Sequence, residues 1–190
     1  MPQQAFLARV VEALEKAGIP YMVSGSVVSS YQGAPRMTHD VDIVIDVPAD
    51  SVRHLVEALA APDLYLDQTA ALTAVRDRGT FNLIDPSFGD KADFWLLTQD
   101  EFDSERFRRR IHIEALGIRF AASTPEDTIL MKLRWSAQSG GSEKQILDAI
   151  GVYEVQAGAL DERYLDDWGE RLGVQDSLAR VRAEAEPIAP

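Results

Sequence analysis

Residues 24–46 read Ser24-Gly25-Ser26-Val27-Val28-Ser29-Ser30-Tyr31-Gln32-Gly33-Ala34-Pro35-Arg36-Met37-Thr38-His39-Asp40-Val41-Asp42-Ile43-Val44-Ile45-Asp46. The stretch follows an apolar strand-like run, Pro20-Tyr21-Met22-Val23, and ends in a second run carrying two carboxylates one residue apart. Side chains alternate along a strand, so Asp40 and Asp42 share one face while Val41, Ile43 and Ile45 fill a buried one. Carboxylates this close repel unless a cation lies between them, and Mg²⁺ prefers carboxylate and phosphate oxygens. The competing reading is a strand-edge pair neutralised by Arg36 or Arg53. Aspartate is disfavoured in strands, so two in one strand call for a local reason. Asp46 has the same parity but sits at the strand's end, where it caps a loop.

Working outward, residues 3–17 form an amphipathic helix through Phe6, Leu7, Val10, Val11 and Leu14, stopped by Gly18. Strand 20–24 leads into a short helix opened by Gly25-Ser26 and ended by Gly33 and Pro35. After strand 41–47, Pro48-Ala49-Asp50 caps a helix whose stripe is Val52, Leu55, Val56 and Leu59. From Tyr65 to Phe120 the pattern reads as short strands. Hairpins are expected for 81–84 with 91–97 and for 110–115 with 118–121. Thr124-Pro125-Glu126-Asp127 is a strong helix start, with a hydroxyl cap, proline at the first position and acids in the first turn. Helices then run over 125–137, 142–156, 161–172 and 175–185. The expected class is α/β (α+β): a mixed sheet flanked by helices over 1–121, and a helical subdomain over 122–190.

The chain has 190 residues, enough for a sizeable core. It has no cysteine, which excludes disulfides, zinc–thiolate sites and cysteine nucleophiles. No signal segment or membrane-length apolar run is visible, so a cytoplasmic location is expected. Net charge is −12 and the pI about 4.6, which argues against general affinity for nucleic-acid backbones. A local basic track at Arg106, Arg108, Arg109 and Arg110 stays compatible with that balance.

Gly25-Ser26 followed by Asp40-x-Asp42 resembles the signature of the polymerase-beta-type nucleotidyltransferase superfamily: Gly-Ser or Gly-Gly, a spacer, then Asp-x-Asp. That resemblance implies a third carboxylate on a neighbouring strand, and Asp93 in Lys91-Ala92-Asp93-Phe94-Trp95-Leu96-Leu97 is the candidate. A salt bridge from Asp93 to Lys91, Arg76 or Arg78 is the plainer alternative. The helix N-terminus at Gly25 and Ser26 is suited to nucleotide phosphates, though the dipeptide also serves as a simple strand-to-helix turn. Arg36-x-Thr38-x-Asp40-x-Asp42 is similar to a pattern in AbiEii-like, type IV toxin-like bacterial nucleotidyltransferases. Arg36 would contact the triphosphate or form a structural ion pair; His39 is assigned no role. Thr124–Leu133 followed by Ser142–Gln145 and Asp148 looks like that family's Lys on one helix and Asp on the next. Lys132 would then touch nucleotide phosphates and Asp148 assist the acceptor, against an i,i+4 pair of Lys144 with Asp148.

The resemblance, covering about residues 20–150, implies an ATP-binding type of enzyme. A Mg²⁺-dependent nucleotidyltransferase would move NMP from an NTP to a hydroxyl acceptor, with pyrophosphate leaving. Asp40, Asp42 and Asp93 would hold two Mg²⁺ ions. The acceptor would be an RNA or tRNA end or a protein, in a toxin–antitoxin or phage-defence setting with a cognate antitoxin as possible partner and no membrane involved. The alternatives are an antibiotic-type small-molecule transferase and a non-catalytic binder of nucleotide or partner.

Overall fold

Strand β1 (Tyr21–Ser24) runs antiparallel to β2 (Asp40–Ile45), with Ser24 opposite Asp42 and Tyr21 opposite Ile45. In this computed structural model residues 2–35, 38, 40–115 and 117–186 are described, which leaves Arg36 and His39 outside. On its other side β2 pairs in parallel with β5 (Asp90–Leu96), which is antiparallel to β4 (Thr80–Asp85). β3 (Tyr65–Leu66) closes that edge, while β7 (Ile118–Ala122) lies beside β1 and carries β6 (Ile111–Ala115). The sheet is seven-stranded and mixed, in the order β3-β4-β5-β2-β1-β7-β6. Both hairpins expected from the sequence are present.

The chain divides into two compact units, one of Met1–Ser24 with Thr38–Ala122 and one of Gly25–Met37 with Ser123–Pro190. In the first, the sheet's back face is apolar: Val41, Ile43, Ile45, Ala92, Phe94, Leu96, Phe81 and Leu83 are all buried. Phe81 and Phe94 stack at 4.8 Å. Helix α1 (Pro2–Lys16) buries Phe6, Leu7, Val10, Val11 and Leu14, the stripe its 3.6-residue period predicts. Gly18, at φ +64°, lets the chain turn so that Ile19 N–H bonds Leu14 C=O. A 3₁₀ turn at Ala49–Ser51 leads into α3 (Val52–Leu59), which buries Leu55, Val56 and Leu59.

The stretch read as short strands also contains two helices, α4 (Gln68–Asp77) and α5 (Glu101–Arg109). Each begins on an aspartate whose side chain accepts a backbone N–H, Asp67 from Ala70 and Asp100 from Asp103. In α5 acids occupy the first turn and arginines the last, which complements the helix dipole. Charge placement and caps outweigh its sparse apolar content. Phe107 of α5 packs with Met22 and Val44, closing the far end of the sheet's front face.

The second unit is helical: α2 (Gly25–Gln32), α6 (Pro125–Gln138), α7 (Glu143–Gln156), α8 (Glu162–Arg171) and α9 (Gln175–Glu184). Thr124 caps α6 at Asp127 N–H, with Pro125 at the first turn, as its sequence dictates. Helix α2 belongs with these helices because Gln32 and Gly33 at its end are held against them. Gln32 Nε2 donates to Ser123 C=O at 2.7 Å, and Gln156 Nε2 donates to Gln32 C=O at 2.9 Å. Gly33 lies against the α7 backbone, where a Cβ would come within 2.6 Å of Gly151 C and Val152 N.

No flexible side chain can yield there, so Gly33→Ala must separate α2 from α7. The expected loss is about 1–3 kcal/mol, read as a lower melting temperature. Gly151→Ala meets Ala34 at 3.3 Å and should cost less. In the first unit, burial and the 2.8 Å hydrogen bond to Glu15 raise the pKa of the Tyr21 phenol. A raised folded pKa means this contribution is complete below the ordinary value of about 10 and is lost as pH rises through the folded one. Ultraviolet titration should therefore show one of the 5 tyrosines ionising only with alkaline unfolding, and Tyr21→Phe should remove that step.

Candidate active site

The sheet's front face carries a polar row across four strands. β1 sets Ser24 opposite Asp42, β5 sets Asp93 opposite Asp42, and β4 sets Asn82 opposite Asp93. The next row toward the start of β2 pairs Asp40 with Lys91, and the row beyond pairs Val44 with Trp95. Asp42 and Asp93 stand on neighbouring strands, which in any sheet lie about 4.8 Å apart. Like charges that close require compensation.

The protein supplies it from side chains on the same face. Lys91 Nζ lies 2.9 Å from Asp93 Oδ2 and 3.7 Å from Asp40 Oδ1. Its hydrogen bond to Asp93 raises the lysine's pKa, partly offset by desolvation. With its amide nitrogen turned toward the carboxylate, Asn82 donates to Asp93 Oδ1 at 2.6 Å. Trp95 Nε1 donates to Asp42 Oδ1 at 3.2 Å. The Asp93 side chain is 19% exposed and that of Asp40 59%. The face is thus closed toward Asp93 and open toward Asp40.

Of the sequence-predicted residues, Asp40, Asp42 and Asp93 come together on one face. Among the described residues no group of three or more His, Cys, Asp or Glu is gathered to hold a metal, and the Lys91 ammonium lies within 4 Å of both Asp40 and Asp93. The chemistry of the donors is that of a hard-cation site, carboxylate oxygens on adjacent strands, and here a lysine ammonium is the cation among them. Of the three partners offered for Asp93, Lys91 takes the role; Arg76 pairs with Asp77, and Arg78 lies 3.6 Å from Asp46. Thr38 Oγ1 donates to the Asp40 C=O at 3.2 Å, and Gln3 Nε2 donates to the Thr38 C=O. Arg106 in the basic track is buried and bonded to Asp103, and Arg108 is bonded to Glu105.

In the helical unit, Gly25 starts α2 at φ +67°, a backbone value that favours glycine, and Ser26 follows in the first turn. Lys132 and Asp148 meet directly: Nζ lies 2.6 Å from Oδ2, with the side chains 2% and 10% exposed. The lysine within the apolar run of α6 is therefore a buried charge neutralised from α7. Sequence reasoning missed Ser24, Asn82 and Trp95 as members of the carboxylate face. The alternation Lys91-x-Asp93-x-Trp95 holds the signal for the last, whereas Ser24 and Asn82 join only through strand pairing.

The sequence matches no protein-family model and no curated protein. Its fold does match solved structures. The antibiotic-resistance factor ANT(2'')-Ia, in solution, aligns with a TM-score of 0.56 at 11% identity, covering 94% of this chain and 97% of that one. Its complex with adenylyl-2''-tobramycin aligns at 0.55 and 12% identity, covering 93% and 99%. An antigenic nucleotidyltransferase-like protein from Paracoccidioides brasiliensis aligns at 0.53 and 16% identity, covering 97% and 94%. At these identities the likeness establishes the fold: the mixed sheet with its helices is a nucleotidyltransferase fold.

Removing one partner of a buried ion pair strands the other. Lys132→Met or Asp148→Asn alone should each cost about 3–5 kcal/mol in denaturant unfolding. The double variant should recover a large part of that loss.

Proposed function

We propose that the chain transfers a nucleoside monophosphate from an NTP to a hydroxyl acceptor, releasing pyrophosphate. The observation carrying this reading is the register that sets Asp42 opposite Asp93 with Asp40 on the same face. Asp40, Asp42 and Asp93 would hold Mg²⁺, two ions on the reading from sequence. When bound, Mg²⁺ supplies charge neutralisation for the triphosphate and the leaving pyrophosphate.

The remaining work falls to the chain's own groups. Asp93 would accept the acceptor's hydroxyl proton, with Asn82 holding its Oδ1 in place. Trp95 would keep Asp42 oriented through its indole N–H. Gly25 and Ser26 would offer backbone N–H groups to phosphate, and Arg36 would add a cation. Lys132 would contact nucleotide phosphates and Asp148 assist the acceptor, as the AbiEii-like pattern implies. They are bonded to each other, so either role would draw on a group already engaged by the other.

For the acceptor, the sequence pattern favours an RNA or tRNA end or a protein, within a toxin–antitoxin or phage-defence system that includes a cognate antitoxin. A specific observation supports a second reading, a small hydroxylated acceptor. The alignment with ANT(2'')-Ia spans nearly all of both chains, and that protein's solved complex holds adenylyl-2''-tobramycin. The net charge of −12 also suits a cationic acceptor better than a long nucleic-acid footprint. Among the described residues no helix is long and apolar enough to cross a membrane.

Calorimetric titration of each NTP, with and without Mg²⁺, tests the core of this reading. Binding that requires Mg²⁺ and falls at least about tenfold in Asp42→Ala is the expected result. Binding unaffected by either change would leave a non-catalytic nucleotide binder, and no binding to the wild type would overturn the reading.

A further inference from the structure

Lys91 occupies a position that none of the assigned roles explains. It lies inside the carboxylate face by strand register, two residues before Asp93 on β5 and opposite Asp40 on β2. Both oxygens of Asp93 are engaged, Oδ1 by Asn82 and Oδ2 by the Lys91 ammonium at 2.9 Å. The same ammonium reaches toward Asp40 Oδ1 at 3.7 Å. Lysine is a compact charge on a flexible four-carbon stem, and this side chain is 32% exposed, so a path to solvent is open to it.

We propose that Lys91 is a built-in competitor for the divalent cation at this face. It neutralises Asp93 and Asp40 while no metal is bound and withdraws toward solvent when one arrives. A divalent ion can take Asp93 Oδ2 only after the ammonium leaves it, so the lysine weakens metal binding and ties it to displacement of an internal charge. Without it, Asp40 and Asp93 would lose the ammonium beside them, which costs stability in the metal-free protein. This inference rests on the metal reading above, and the test separates the two.

The experiment counts free Mn²⁺ by electron paramagnetic resonance as metal is added to the nucleotide-free protein. Wild type is compared with Lys91→Met, Lys91→Arg and Arg78→Met, with Lys91→Gln as a second neutral variant should methionine disturb the strand. Arg78→Met removes the same charge beside Asp46, at the other end of β2. For Lys91→Met the affinity should rise about 5- to 10-fold, the scale of one partly exposed charge a few ångströms from the ligands. Lys91→Arg and Arg78→Met should each stay within about 2-fold of wild type. The Lys91→Met protein should also melt lower without metal and recover on adding Mn²⁺.

Equal or weaker binding in Lys91→Met, while wild type binds Mn²⁺, would overturn the competitor role and leave the metal site standing. An equal gain in Arg78→Met would overturn it too, by reducing the effect to net charge. Binding in none of these proteins would overturn the metal site and this inference together.

Discussion

Asp42 and Asp93 face each other across two parallel strands, and much of the first unit can be read as the means of holding them there. Their closeness follows from backbone pairing, which fixes the two Cα positions opposite each other. A slip of one residue would turn Asp93 onto the back face and Phe94 onto the front one. The packing on the back face prevents that slip, since Ile43, Phe94 and Phe81 are buried together and Phe94 stacks on Phe81. The hydrophobic effect that drives the fold thus also sets the distance between two negative charges. Lys91, Asn82 and the Trp95 indole N–H make that arrangement tolerable.

The helical unit meets the cost of buried charge in another way. Lys132 is almost wholly enclosed, and Asp148 on the next helix neutralises it at close range. Such a pair contributes little net stability compared with a well-packed apolar pair, because desolvation opposes the attraction. It joins one turn of α6 to one turn of α7. The near contact of Gly33 with Gly151 adds a steric condition to that electrostatic one.

A fold of this kind does not by itself determine an acceptor. The solved structures that share it do so at 11–16% identity, where architecture persists although few side chains are held in common. The face of this chain combines acids, one lysine and an exposed indole, and it opens toward Asp40 rather than Asp93. The acidic balance of the whole chain adds a field that draws cations inward.

Local rules were enough to place most elements. The stripe of α1, the strand carrying Asp40 and Asp42, both hairpins and the cap at Thr124 are all set by residues close in sequence. The helices α4 and α5 also announce themselves locally, through Asp67 and Asp100 and the charge order of α5, yet an apolar count alone reads past them. The alternation of β5 holds Lys91, Asp93 and Trp95 on one face, although the sequence reading singled out only Asp93 there. Pairing itself is nonlocal: that β5 lies parallel beside β2, that Asn82 joins from β4, and that Lys132 meets Asp148 all depend on residues far apart in the chain. Sequence by itself therefore determined which residues carry charge on which face of each element. Only the tertiary structure decided which of those charges meet, because the distances that govern Coulomb energy are set by packing between elements.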